Sequence, residues 1–347
     1  MDALKDIYSL FGPMTARRTK IKVKYDDTDI TNDLAPYLKE FSFNDNMSDE
    51  ADDASLRLED RNELWCSSWL PDKGASLDLT IVKILSDGSE VTLPLGVFEL
   101  DEIEISAPPH EVNLKAVSVP NNSGLRGEDH NRSWEKTKLS VIANDLVVTD
   151  AQMELFYDTG EDPVLERAEQ TEQSDLSFLR KLCKDAGLAI KVSDKKVVIF
   201  DEVKYEQAAP VLTLEKSMLI SYSIKSATRD VYAACHVKYQ KSKNKECIEY
   251  TFTLPDKKGK TLQVNEEVAS VAEAEKLAKK KLREKNKEEI TISITLPGAF
   301  IFSAGSTLKL DGFRVFDGKY IITKVAHSIG SGGYTIQADL RKCLNDY

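Results

Sequence analysis

Apolar and polar residues alternate with a period of two through most of the first 120 positions, as strands with one buried face require. In Lys20-Ile21-Lys22-Val23-Lys24-Tyr25 the apolar residues share a face, and Asp26-Asp27-Thr28 supplies the turn after it. One helical turn is expected over 34–38, then strands at Glu40-Phe41-Ser42-Phe43 and Ala54-Ser55-Leu56-Arg57-Leu58-Glu59-Asp60. Residues 77–85 and 90–95 flank Ser86-Asp87-Gly88-Ser89, a hairpin signal. Residues 98–106 and 112–119 form another across Ala107-Pro108-Pro109-His110. Short strands with closely spaced turns favour a barrel or a sandwich.

The period changes after Pro120-Asn121-Asn122-Ser123-Gly124, a linker by composition. Leu139, Ile142, Ala143 and Leu146 fall on one helical face. A longer helix opens at Ser174, a capping residue, buries Leu176, Leu179, Leu182, Cys183 and Ala186, and stops at Gly187. Strands are expected at 189–192, 197–200, 219–224 and 232–239, with a hairpin over 248–262. A helix over 270–286 carries Val271, Ala274, Leu277, Ala278 and Leu282 on one side and Lys276, Lys279, Lys280, Arg283 and Lys287 on the other. The expected layout is a leader (1–18), a first β-barrel domain (19–120) and a small α+β module (121–207). A second barrel follows (208–245 and 291–347), interrupted by an inserted hairpin and basic helix (246–290). The fold class expected is α+β, mainly β.

The two β regions echo each other. Phe98-Glu99-Leu100-Asp101-Glu102-Ile103-Glu104-Ile105-Ser106 lies over Tyr320-Ile321-Ile322-Thr323-Lys324-Val325-Ala326-His327-Ser328. Val112-Asn113-Leu114-Lys115-Ala116 answers Tyr334-Thr335-Ile336-Gln337-Ala338, and Gly74-Ala75-Ser76-Leu77 answers Gly305-Ser306-Thr307-Leu308. Three blocks in the same order point to a duplicated unit, and three such chains supply six copies.

Charge sharpens this picture. The 347 residues carry a net charge of −11, with 41% hydrophobic residues, a composition that builds packed cores rather than disorder. Between Asp26 and Asp60 twelve acids face two bases, a local net of −10; from Lys257 to Lys287 ten bases face five acids, a net of +5. An acidic chain is a poor match to nucleic acid. No apolar stretch is long enough to span a bilayer, and residues 1–6 show no secretion signal. The acidic run suggests that any channel through an assembly of these chains has an acidic wall.

Chemistry is sparse. Asp27, Asp29, Thr31 and Asp33 are spaced like the start of a calcium loop, but Asn32 and Leu38 stand where glycine and a bidentate glutamate belong. His110, His130, His236 and His327 are scattered, and the five cysteines form no paired motif. The Asp49 to Asp53 cluster reads as solvated, a poor setting for a general acid. Trp65, Trp69 and Trp134 read as core or interface anchors. No catalytic, cofactor-binding or metal-binding residue is assigned.

Several blocks, in order, carry a family resemblance: Thr31-Asn32-Asp33-Leu34-Ala35-Pro36-Tyr37-Leu38, the acidic run 49–60, and Trp69-Leu70-Pro71-Asp72-Lys73-Gly74. Gly96-Val97-Phe98-Glu99-Leu100-Asp101-Glu102-Ile103, the helix 175–188 and the segment 316–334 continue it. The sequence resembles phage late control protein D, the tail hub of contractile phage tails, and the N-terminal part of type VI secretion spike proteins. The resemblance implies two tail-tube-like barrels per chain. It further implies a homotrimeric, non-enzymatic baseplate hub joining a hexameric tail tube to a trimeric central spike. Tube, spike, baseplate wedge and tape measure proteins are the implied partners, without membrane or specific nucleic-acid binding. The implied setting is the baseplate of a phage or tail-like bacteriocin, assembled in the bacterial cytoplasm. A cell-wall (peptidoglycan) hydrolase is the contrasting expectation, because paired carboxylates could serve as a glycosidase dyad.

Overall fold

A computed structural model of the chain describes residues 18–48, 50–119, 124–240, 247–255, 257–344 and 347. The leader 1–17, Asp49 and the expected linker residues 120–123 lie outside the described residues. In chain order the first strands are β1 (Arg18–Tyr25), β2 (Thr28–Asp29), β3 (Leu38–Asn46), β4 (Asp53–Glu59), β5 (Ser76–Ile84), β6 (Glu90–Ser106) and β7 (Glu111–Val117). Next come β8 (Asp129–Lys138), β9 (Glu154–Asp158), β10 (Val164–Ser174), β11 (Ala189–Ser193), β12 (Lys196–Phe200), β13 (Thr213–Glu215) and β14 (Ser221–Ser226). The last are β15 (Tyr232–Gln240), β16 (Cys247–Thr253), β17 (Lys260–Val264), β18 (Ile290–Pro297), β19 (Thr307–Asp311), β20 (Gly318–Gly330) and β21 (Gly333–Lys342). Helices are α1 (Thr31–Leu34), α2 (Leu139–Asn144), α3 (Asp175–Ala186), α4 (Glu202–Gln207) and α5 (Val271–Asn286). The class is α+β, mainly β, as the alternation predicts.

The chain divides into two compact units: residues 1–205, 295–306 and 322–338, and residues 206–294, 307–321 and 339–347.

In the first unit the strands follow the order β21-β20-β3-β4-β7-β6-β5-β1-β2. The order ends at β2, so the described strands form an unclosed sheet where a tail-tube-like barrel was expected. Their apolar face is the one the alternation marked: Ile21, Val23, Phe41, Phe43, Leu56, Leu58, Leu79, Ile81, Phe98 and Leu100 are all buried. Residues 90–95 and 98–106, read as two strands, are one long strand that pairs first with β5 and then with β7. Gly298 packs under the Tyr334 ring so tightly that a Cβ there would lie 1.9 Å from Tyr334 Cδ1. Gly298→Ala is therefore expected to lower stability by about 1–3 kcal/mol, the usual cost of overpacking, measurable by urea denaturation.

The module within this unit has its own core around Leu139, Ile142, Leu146, Phe178, Leu179, Val197 and Ile199. Ser174 caps α3 through Ser177 N–H, and Gly187 ends it with φ +74°. β12 pairs antiparallel with β11 and parallel with β9. Sequence patterning misses β8 and β10, which pair only with each other. The reason is compositional: both strands are mostly polar, so no apolar face alternates.

In the second unit β15 is the centre of a three-stranded sheet, antiparallel to β16 and parallel to β17. The hairpin expected over 248–262 therefore does not form; β16 and β17 satisfy opposite edges of β15 instead of each other. α5 covers this sheet with Ala274, Ala278 and Leu282 against Cys235 and Val237. Asn286 at its end accepts from Tyr232 N–H at 2.9 Å and donates to Tyr232 C=O at 2.9 Å and Tyr347 Oη at 2.8 Å.

The internal echo extends to individual backbone bonds. Leu77 pairs with Phe98, and Leu308, its counterpart, pairs with Tyr320. Gly74 N–H donates to Leu100 C=O at 2.9 Å; Gly305 N–H donates to Ile322 C=O at 2.8 Å. Leu100 N–H and Ile322 N–H donate back to Ala75 C=O and Ser306 C=O, each at 2.9 Å. Gly74 and Gly305 have φ +83° and +86°, a left-handed turn that favours glycine. The chain-order series β3, β4, β5, β6, β7 thus matches β14, β18, β19, β20, β21, with neighbours β3-β4-β7-β6-β5 matching β14-β18-β21-β20-β19.

Candidate functional site

The acidic run does not form one face. Along β3, Phe41 and Phe43 turn into the core while Glu40, Ser42 and Asn44 face outward, as the pleat dictates. Asp45 and Asp52 instead meet Lys191, donated by β11, in a cluster that is largely shielded from solvent. Lys191 Nζ bonds Asp45, lies 3.2 Å from Asp52 Oδ2 and donates to Asn46 C=O at 2.8 Å. Asp52 also accepts from Asn46 N–H at 2.8 Å, and Asp45 from Ala304 N–H at 2.8 Å. Burial pushes the Asp52 carboxyl up to about 6, against the opposing pull of Lys191. Burial also works to lower Lys191, but Asp45 and Asp52 outweigh it and hold its ammonium above the usual lysine range. The cluster expected to be solvated is thus in part a buried brace tying β3, the β3–β4 turn and β11 together.

Beside it, His327 is almost wholly buried, with Nδ1 2.7 Å from Tyr334 Oη and its ring stacked on Tyr334. Burial lowers its pKa to about 4, with Asp45 pulling the other way. It is a packed neutral histidine. The others are elsewhere: His110 lies 3.9 Å from Glu63, His130 3.0 Å from Asp175, and His236 3.1 Å from Glu249. The calcium-like spacing resolves into a turn in which Asp29 accepts from Thr31 N–H at 2.9 Å. Among the described residues no group of three or more His, Cys, Asp or Glu is placed to hold a metal ion.

The outward face of β3, β4, β6 and β7 carries an open polar groove of about 370 Å³ that includes Glu40, Arg57, Glu104, Glu111 and Asn113. Its charges are largely matched. Glu111 binds Lys39 at 2.9 Å and Arg57 at 2.5 Å, which hold its carboxyl below the usual range, and Lys115 bridges Glu102 at 3.1 Å. Within the run of net −10, Asp52 and Asp60 are buried and Asp45 binds Lys191, while Asp26, Asp27, Asp29, Asp33, Glu40 and Glu50 are exposed.

A second groove is apolar, about 370 Å³, between Tyr25, Ile30, Leu34, Trp65, Trp69 and Leu70. Trp65 is core and meets Trp69 edge-on at 5.6 Å, and Trp69 leans on Tyr37 at 5.5 Å. Trp134 stacks on Phe178 inside the module.

On the basic side of α5, Lys279 pairs with Glu275 at 2.9 Å, and Lys287, just past its end, with Glu284 at 2.9 Å; Lys281, outside the expected basic set, pairs with Glu266 at 2.6 Å. Arg283, placed with the lysines on the basic side, reaches buried Glu206 at 2.6 Å. Arg341 and Leu344 N–H complete the shell of Glu206. Sequence gave no sign of this pairing because Arg283, Arg341 and Leu344 stand 77 or more positions from Glu206. Among the described residues no helix is long and apolar enough to cross a membrane.

Among the described residues, the buried charges described above serve packing, and the exposed features are strand edges and grooves. The chain is similar in fold to a tail protein from Neisseria meningitidis MC58 (TM-score 0.71, 15% identity, covering 93% of this chain and 96% of that one). It is equally similar to the 43 kDa tail protein of prophage MuSo2 from Shewanella oneidensis (TM-score 0.72, 12% identity, 94% and 98% covered). An E. coli component of the type VI secretion system matches with a TM-score of 0.53 at 12% identity, over 95% and 77% of the two chains. No curated protein sequence matches. The model of the phage tail baseplate hub family (GPD) matches residues 110–333, well over half of the chain. The chain belongs to the phage tail baseplate hub family.

Proposed function

We propose that this tail structural protein acts as a homotrimeric baseplate hub of a contractile phage tail or tail-like bacteriocin, joining a hexameric tube to a trimeric central spike. The observation that carries the reading is the duplication. Two sheet segments with the same strand order and the same glycine-turn hydrogen bonds make each chain two copies of one unit. Three such chains present six equivalent units to a sixfold partner and three chain-specific faces to a threefold one. Baseplate wedge and tape measure proteins are further partners, and the particle's baseplate is the site of action. The domain layout consistent with this role keeps a first tube-like region at 19–120 and a second at 208–245 and 291–347. The module 121–207 and the insert 246–290 then hang from the two copies.

The work is binding, not catalysis. Co-expression with the cognate tube and spike proteins is expected to yield a complex containing all three after size exclusion. A chain that co-purifies with neither contradicts the role. Incubation with peptidoglycan is expected to release no muropeptides, and measurable release would contradict the non-enzymatic reading.

A further inference from the structure

The apolar groove of the first unit has the marks of a socket. Trp69 and Leu70 on its rim are 37% and 53% exposed, two consecutive large apolar side chains left facing solvent. Below them Tyr25, Ile30, Leu34, Trp65 and Pro71 also line a smaller apolar cavity of about 20 Å³ that reaches Leu56 and Leu100 of the core. Trp65 is 5% exposed, and its buried Nε1–H has no hydrogen-bond partner among the described residues, whereas a buried indole usually finds one. A peptide segment answers both needs, with apolar side chains for the groove and backbone carbonyls as acceptors for the indole.

We infer that the occupant is residues 4–11 of the same chain, a contact independent of the hub reading. The leader 1–17 runs directly into β1, which carries Tyr25 on the groove wall. Leu4, Ile7, Tyr8, Leu10 and Phe11 put five large apolar side chains into eight residues. The other residues outside the described set offer no rival: 49, 120–123, 241–246, 256, 345 and 346 include no Val, Ile, Leu, Met, Phe, Tyr or Trp. The reach is sufficient. Seven steps from Phe11 to Arg18 extend to about 25 Å, and β1 covers about 23 Å from Arg18 to Tyr25 at about 3.3 Å per residue. Phe11 therefore arrives at the groove when the leader runs back along β1, and 4–10 lie over it. The short tether keeps the segment at high local concentration, so a contact too weak for a free peptide is populated within the chain.

The test replaces Ile7 with the photo-crosslinker benzoylphenylalanine in the full chain and maps the products by mass spectrometry, in an equal mixture of isotope-labelled and unlabelled chains. The expected product joins position 7 to 25–34 or 65–71 within one chain, without mixing of labels. A crosslink between labelled and unlabelled chains places another copy's leader in the groove and overturns the assignment. Crosslinks scattered over other segments overturn it as well. Leu70→Asp, on the exposed rim, is expected to keep the parent's circular dichroism while crosslinking to 25–34 and 65–71 falls at least fivefold; an unchanged yield contradicts the inference. Separately, Ile7→Asp/Phe11→Asp is expected to raise acrylamide quenching of tryptophan fluorescence at least twofold at unchanged circular dichroism, because Trp69 is uncovered. Equal quenching in parent and variant overturns the contact.

Discussion

Lys191→Met is expected to lower the unfolding free energy by about 3–5 kcal/mol at pH 8, as read from chemical denaturation. Breaking a buried ion pair by removing one partner leaves charge without compensation, which costs more than the intact pair contributes. Here one ammonium serves Asp45, Asp52 and Asn46 C=O, so its loss strands two carboxylates in a shielded site. The deficit should shrink as the pH falls. Asp52 is already raised to about 6 by burial; without Lys191 it rises further, so the folded variant takes up a proton that the unfolded chain does not. Proton uptake on folding favours the folded state at lower pH. At pH 5 the deficit relative to the parent is expected to be less than half of that at pH 8. A pH-independent loss, or a loss below 1 kcal/mol at pH 8, would show that the cluster does not brace the sheet.

The second large effect is the reverse titration of His327. Its folded pKa of about 4 lies below the ordinary 6.5, so between those values the unfolded chain binds the proton that the folded chain refuses. Stability contributed by keeping this ring neutral is full above pH 6.5 and is lost as the pH drops towards 4, by about 3 kcal/mol in all. Asp52 moves in the opposite sense over much of the same window, so the parent's own pH profile mixes the two. His327→Gln separates them. The difference in stability between parent and variant is expected to fall by about 3 kcal/mol from pH 7 to pH 4. A difference constant across that range would contradict the burial account.

Much of the fold was legible because its signals are local. The lysines of β1 alternate with Ile21 and Val23, so one face had to be core; Ser174 and Gly187 mark the two ends of α3 by their own backbone chemistry. The duplication was legible too, since Gly74 and Gly305 need the same left-handed turn at the same place before matching strands. What stayed hidden depends on distance in the chain or on absent pattern. Lys191 stands 139 positions from Asp52, so nothing local announces that a seemingly solvated acid is buried. β8 and β10 are mostly polar, with only a few apolar residues such as Trp134, Leu165 and Ala168 meeting the core, and β15 takes partners on both edges, which a hairpin-by-hairpin reading splits wrongly. The acidic run was read as one block for the same reason: nothing within 26–60 shows that Lys191 folds onto Asp45 and Asp52.

The central claim is that each chain supplies two equivalent units to a threefold assembly. Static light scattering of the purified full chain, in line with size exclusion, tests it most directly. The account predicts a species with a mass near three times 38.8 kDa. A stable dimer or tetramer, or a monomer that persists at every concentration reached, would contradict it.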